Sequence, residues 1–329
     1  MTVPTIAFFN HKGGVGRTSL VYHLAWMYAD LGHTVVAVDL DPQANLTTAF
    51  LGEDRVEELG EDGRDSGTIY DAISPLMRGV GDLQTAARHQ LAPGLSVIAG
   101  NLALSSYEED LTRAWLLCLE GNDRAFRAII ALWRAIQRTA EDIAADVVLI
   151  DLGPNLGAIN RAALIASDHV VIPVTPERAS LQGLEDLGAT LRSWRDGWRE
   201  RVAKAPDPAL SLPAGTMKPA GYVLLRPVVR LDRPARGLDR RMAALPHAYA
   251  TAVLGGTTSA TYPDNDPNCL GIVRPYGSLM RMSEEAHKPM FHLKAADGAL
   301  GSHARAALDV RRDFEALARR IEAATWNAP

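Results

Sequence analysis

Short apolar runs alternate along this chain with stretches in which apolar residues recur every three or four positions. The runs predict strands near residues 4 to 9, 34 to 39, 95 to 99, 146 to 151, 169 to 174, 220 to 226 and 270 to 274. The helical period is carried by Leu20, Leu24, Met27 and Leu31, and by Phe126, Ile129, Ile130 and Trp133 continuing to Ile136. It returns between Leu181 and Trp198, and in Val310, Phe314, Leu317 and Ile321. Strand and helix in turn predict an α/β fold: a doubly wound, mostly parallel sheet with helices on both faces. Each apolar stripe then reads as the face packed on that sheet.

Three segments interrupt the pattern. Residues 53–66 are rich in Glu, Asp and Gly and read as a solvated loop. Residues 203–219 hold four prolines and read as an exposed connection. Residues 230–268 look irregular, with Arg-rich and Gly-Gly-Thr-Thr pieces. The chain, 329 residues at 47% hydrophobic content, is expected to be one domain over 1–329 with these three insertions. With a formal net charge of −5 the chain is neither strongly acidic nor strongly basic. Cys118 and Cys269 are too few for a disulfide framework and read as buried thiols. No basic leader precedes the first strand and no apolar run is long enough for a bilayer, so a cytoplasmic protein without membrane attachment is expected.

The chemistry begins at Asn10-His11-Lys12-Gly13-Gly14-Val15-Gly16-Arg17-Thr18-Ser19, which follows the first strand and opens the first helix. Unpaired amides at a helix start, with small residues that let the backbone close in, make a cradle for a polyphosphate. Thr18 stands where a hydroxyl can ligate Mg²⁺. Two further strands end in carboxylates, Val35 to Asp39 with Asp41 beyond it, and Val147 to Asp151. In a parallel sheet such ends gather along one edge, where ligands bind. The three elements together point to a nucleoside triphosphate site.

The loop with its early lysine, Asp39-Leu40-Asp41-Pro42-Gln43, and Asp151-Leu152-Gly153-Pro154 together resemble the ParA/MinD family of deviant Walker P-loop ATPases. The likeness continues through Val171 to Glu177, Leu181-Gln182-Gly183-Leu184 and Ser283 to Pro289, and fits the ParA, or plasmid and chromosome partition, branch best. It implies an ATP-dependent homodimer that positions or partitions cargo, commonly DNA, with ATP and Mg²⁺ as cofactors and a centromere-binding or adaptor protein as partner. By the same resemblance, Gly13, Gly14, Val15, Gly16, Arg17, Thr18 and Ser19 hold the phosphates, while Thr18, Asp39 and Asp151 hold the metal. Asp41 orients the attacking water, Lys12 reaches the partner's nucleotide, and Pro275 lies near the base.

Arg17 is a departure, because the family has lysine there. Guanidinium is wider and planar, with a fixed fork of donors. Two outcomes follow: a loop adapted to arginine with slow, partner-stimulated hydrolysis, or a hydrolysis-impaired regulatory subunit of a conjugation, defence or transcriptional assembly. Gly153, where proline is usual, is a lesser departure. On the last helix, Arg305, Arg312 and Arg319 recur at seven-residue intervals, flanked by Arg311 and Arg320, opposite the apolar stripe. That row is a candidate for nonspecific contact with DNA phosphates and hence for nucleoid association, although Asp309, Asp313, Glu315 and Glu322 share the helix.

Overall fold

A computed structural model describes residues 2–61, 67–226 and 235–326. In chain order its elements begin β1 (Thr5–Phe8), α1 (Arg17–Asp30), β2 (Val35–Asp39), α2 (Asn45–Leu51), α3 (Glu53–Glu61), α4 (Ile69–Arg78), β3 (His89–Ala92) and β4 (Leu95–Ile98). They continue with α5 (Glu108–Leu117), α6 (Asp123–Ile129), α7 (Ala131–Asp142), β5 (Val147–Asp151), α8 (Ala158–Ile165), β6 (His169–Val174) and α9 (Arg178–Val202). The chain ends with β7 (Lys218–Leu225), α10 (Ala235–Ala252), β8 (Cys269–Val273), α11 (Ser278–Ala286) and α12 (Ser302–Ala324).

The strands form one sheet in the order β3-β4-β2-β5-β1-β6-β7-β8, parallel throughout except for the β3–β4 edge pair. All seven expected strands are present. The short β3, half-buried and with little apolar content, escaped the hydrophobic pattern because an edge strand gives it so little to bury. Alternate strand residues feed two cores. Ala7, Val36, Val38, Val148 and Ile150 face the helices α4 to α10. Ile6, Phe8, Val35, Ala37, Val147 and Leu149 face α1, α11 and α12. The sheet is thus covered on both sides, as parallel strands require.

Two of the irregular segments are more ordered than expected. Residues 53–61 form α3, an exposed helix with Glu53 and Asp54 in its first turn, where carboxylates favour the dipole, so polarity there marks a solvated helix instead of a loop. Residues 62–66 lie outside the described residues. Within 230–268, α10 is a helix that packs Met242, Leu245 and Tyr249 into the core, while 230–234 lie outside the described residues. Gly188 of α9 allows that packing, since a Cβ there would lie 2.0 Å from the Ala252 carbonyl oxygen. The stretch 203–217 is an irregular connection, as its prolines imply.

The helix expected from Phe126 to Ile136 is two helices that meet at Ile130, and Phe126, Ile129, Ile130 and Ile136 are all buried. On α12, Val310, Phe314, Leu317 and Ile321 are buried against the sheet. Both cysteines are free and buried, which pushes the Cys118 thiol up to about 12 and Cys269 to about 11. No described helix is long and apolar enough to cross a membrane.

Candidate nucleotide-binding site

Strand order reverses at β1, which has β5 on one side and β6 on the other, while its own chain continues to β2 beyond β5. A crevice at the carboxyl ends of the strands follows from that topology. The glycine loop leaves β1 there. Gly14 and Gly16 take positive φ values of 72° and 78°, so the tight path needs glycine at both. A Cβ at Gly14 would meet nothing within 4 Å, leaving open space above the loop.

Helix α1 starts at Arg17 with no side-chain cap. Among the described residues, no acceptor takes the amide hydrogens of Gly13 to Thr18. Six consecutive donors at a positive helix end form a cradle that a polyphosphate fits. A cavity of about 910 Å³ opens beside it between α1, α2 and α11, lined by Thr18, Ser19, Tyr22, Asn45, Met280 and Glu284 among others. Pro275 lies exposed on the loop between β8 and α11, outside that lining.

Register brings the strand-end carboxylates together. Asp39 on β2 lies directly opposite Asp151 on β5, and both are fully buried. Asp41, 4% exposed, follows on the turn into α2. Asp39 accepts the Thr47 amide and hydroxyl on Oδ2, each at 2.8 Å, and the Asp41 amide on Oδ1 at 3.2 Å. Burial, with the Asp151 charge next, still pushes the Asp39 carboxyl up to about 7. Asp151 is also raised by burial, against the opposing pull of Arg17 and Thr18.

Arg17 turns into this group of acids. Its Nε donates to Asp151 Oδ1 at 2.6 Å, Nη1 to the Asn10 carbonyl at 3.3 Å and Nη2 to Asp41 Oδ2 at 3.4 Å. The Thr18 hydroxyl donates to the other Asp151 oxygen at 2.6 Å. Among the described residues no cluster of three or more His, Cys, Asp or Glu is arranged to chelate a metal unaided. A hydroxyl flanked by carboxylates does fit a hard divalent ion that keeps waters and takes its remaining oxygens from phosphates.

Lys12 lies at the opposite rim, paired with Glu177 and reaching the Ser180 hydroxyl at 3.4 Å. Asn10, buried beneath the loop, accepts the Lys12 amide at 3.0 Å and donates to the Pro173 carbonyl at 2.7 Å, tying the loop to β6. The neighbouring His11 ring packs on α9 at Gly183, where an added Cβ would lie 3.1 Å from Cε1.

The loop, Asp39, Asp41 and Asp151 therefore converge as expected, and Pro275 is the expected residue that stands apart. Roles for Asn10, Thr47, Glu177 and Ser180 were not foreseen. Asn10 and Glu177 stand inside the recognised motifs, where a polar residue at a strand end was the available signal. Thr47 offers none, because its importance comes only from α2 folding back on β2.

An AAA domain family model matches residues 3–203 of this chain. Replication protein A of Rhizobium rhizogenes is 35% identical over 184 residues, covering 55% of this chain and 42% of that protein. The sporulation initiation inhibitor protein Soj of Bacillus subtilis is 29% identical over 187 residues, covering 57% of this chain and 64% of Soj. The chain thus spans about half the length of the curated relatives it matches. Among solved structures, the ATP complex of a Cyanothece McdA variant superposes with a TM-score of 0.63 at 16% identity, covering 97% of this chain and 96% of the other, which establishes a shared fold. With the glycine loop, its early lysine and the paired strand-end aspartates on the same sheet edge, the chain belongs to the AAA domain family and, within it, to the ParA/MinD group of deviant Walker P-loop ATPases.

Proposed function

We propose that this chain binds Mg-ATP at Asn10 to Ser19 and acts as a ParA-type ATPase that dimerises with ATP to position or partition DNA or another cargo. The observation that carries this reading is the row of free amides from Gly13 to Thr18 set against the buried carboxylates Asp39, Asp41 and Asp151. The McdA neighbour binds ATP on the same fold. Bound Mg-ATP supplies the phosphoanhydride to be cleaved and the cation that draws charge from it.

The chain's own part is positional. Amides of the loop and the start of α1 would hold phosphate oxygens, and the Thr18 hydroxyl, which donates to Asp151 here, would serve the cation as a ligand. Asp39 and Asp151 would help hold the cation, and Asp41 would orient the attacking water. Lys12 leaves Glu177 and neutralises charge on a nucleotide held by a second copy of the chain. An exposed pair such as Lys12–Glu177 is worth no more than about 1 kcal/mol, so it does not bar that movement.

DNA contact through α12 is the finer part of the proposal. Arg305, Arg312, Arg319 and Arg320 are exposed, but Arg312 pairs with Asp309, Arg319 with Glu315 at 3.0 Å, and the half-exposed Arg311 with Asp30 at 2.9 Å. The two intrahelical pairs, Arg312–Asp309 and Arg319–Glu315, each contribute about 0.3–0.5 kcal/mol, little enough for phosphates to displace them. The reading as a hydrolysis-impaired regulatory subunit draws support from the Arg17–Asp41 pair, which occupies the carboxylate needed to orient water.

The test is calorimetry with Mg-ATP followed by a phosphate-release assay with and without random-sequence DNA and the neighbouring gene's product. Saturable binding with stimulated release supports the positioning ATPase. Binding without release under any condition supports the regulatory subunit, and absence of nucleotide binding overturns both.

A further inference from the structure

Arg17 is 7% exposed, and every nitrogen of its guanidinium has a partner: Asp151, Asp41 and the Asn10 carbonyl. Those partners come from the ends of β5, β2 and β1, the three strands that build the crevice. Around it, Asp39, Asp41 and Asp151 place three carboxylates below 5% exposure. Among the described residues, Arg17 is the one cation that touches any of them. Carboxylates taken out of water beside one another are costly unless a positive charge compensates them. Thr18 is turned the same way, with its hydroxyl on the second Asp151 oxygen.

We propose that Arg17 is the built-in counter-cation of the nucleotide-free site, holding Asp151 and Asp41 in place of a divalent ion. The inference rests on reading this as a magnesium-nucleotide site. Arginine suits the task because it stays charged and its planar fork spans two carboxylates and a carbonyl at once. A lysine is a point charge on a flexible stem and cannot bridge all three in one geometry. The usual exchange is thereby reversed: the residue at the phosphate-facing position spends its donors on the acids when no phosphate is there. Two consequences follow. Mg²⁺ alone finds the acids already compensated and does not bind. When Arg17 turns to phosphates it uncovers Asp151 and Asp41 together, so nucleotide and Mg²⁺ must enter as a unit.

The experiment uses the nucleotide-free full chain with MgCl₂ as the probe. Wild type and Arg17→Met are melted with and without about 10 mM Mg²⁺, against NaCl of equal ionic strength, and Mg²⁺ is titrated calorimetrically into wild type. The wild-type melting temperature should stay within about 1 °C, while Arg17→Met should melt lower and recover by about 3 °C or more with Mg²⁺ but not with NaCl. Equal Mg²⁺ responses of the two proteins would overturn the proposal. So would saturable binding of Mg²⁺ to the wild type with Kd below about 1 mM, a result that stands even if the variant fails to fold. These arms contain no nucleotide, so a failure to bind ATP, which would sink the functional reading, is seen separately.

Discussion

Asp39 and Asp151 lie opposite each other in register at the ends of β2 and β5, both without solvent contact. The sheet itself forces the two carboxylates together. Four groups answer the resulting cost: Thr47 and the Asp41 amide on Asp39, and Arg17 with Thr18 on Asp151. Local stability is thereby given over to a polar crevice where an apolar core would otherwise continue.

This pairing has a pH signature in the nucleotide-free protein. The Asp39 carboxyl is raised to about 7 in the fold, so folded protein binds a proton that the unfolded chain has already lost above its ordinary value of 3.8. Its stabilising contribution is present in acid and is lost as pH rises toward 7. His23 acts in the opposite sense. It is buried, its Nδ1 2.7 Å from the Ser19 carbonyl and its Nε2 taking the Met290 amide, and burial lowers it from 6.5 to about 4. Its contribution is present above 6.5 and is lost as pH falls toward 4. Each slope is at most about 1.4 kcal/mol per pH unit. Urea melts between these limits should show, relative to wild type, a profile tilted toward stability rising with pH in Asp39→Asn and toward stability falling with pH in His23→Gln. Parallel profiles for all three would refute the assignment.

Removing the Thr18 hydroxyl would take away the proposed metal ligand and leave the amide cradle intact. Thr18→Ala should weaken Mg-ATP binding about tenfold, or ~1.4 kcal/mol, while nucleotide affinity in chelator changes much less. Calorimetry in Mg²⁺ and in EDTA separates the two, and an equal loss in both media would mean that Thr18 acts only through folding.

Asp41 is assigned to orienting water. Asp41→Ala should therefore leave nucleotide affinity within about threefold while slowing phosphate release by about 100-fold and prolonging any ATP-bound dimer. Single-turnover measurement is the check, and an unchanged rate would remove Asp41 from the chemistry.

The charge row on α12 makes a separate claim. Replacing Arg312 and Arg319 by glutamate should reduce ATP-dependent retention on random-sequence duplex, and the loss should shrink as salt rises. Unchanged retention at low and moderate salt would assign Arg312 and Arg319 only to their helix-surface pairs with Asp309 and Glu315.

What was legible in the sequence follows from what burial does to composition. Strands buried on both faces, such as Val35–Asp39 and Val147–Asp151, carry continuous apolar runs that cannot be mistaken for loops. The glycine loop and strand-end aspartates were visible because phosphate chemistry narrows the residues allowed. Helix α3 was missed since an exposed helix needs no apolar stripe, and β3 since an edge strand buries little. The Arg17 contacts were out of reach for a different reason. The sequence identified an arginine in the lysine position, but only the fold reveals that Asp151 at the end of β5 and Asp41 on the turn beyond β2 stand where its fork can span them.

In the proposed function, nucleotide drives two copies of this chain together through Lys12. Multi-angle light scattering on the full chain without nucleotide, with Mg-ADP and with Mg-ATP tests it most directly. The expected mass is that of the protomer, 35.5 kDa, in the first two conditions and twice that with Mg-ATP, with Lys12→Ala remaining at the protomer mass throughout. One mass in all three conditions for the wild type would contradict it.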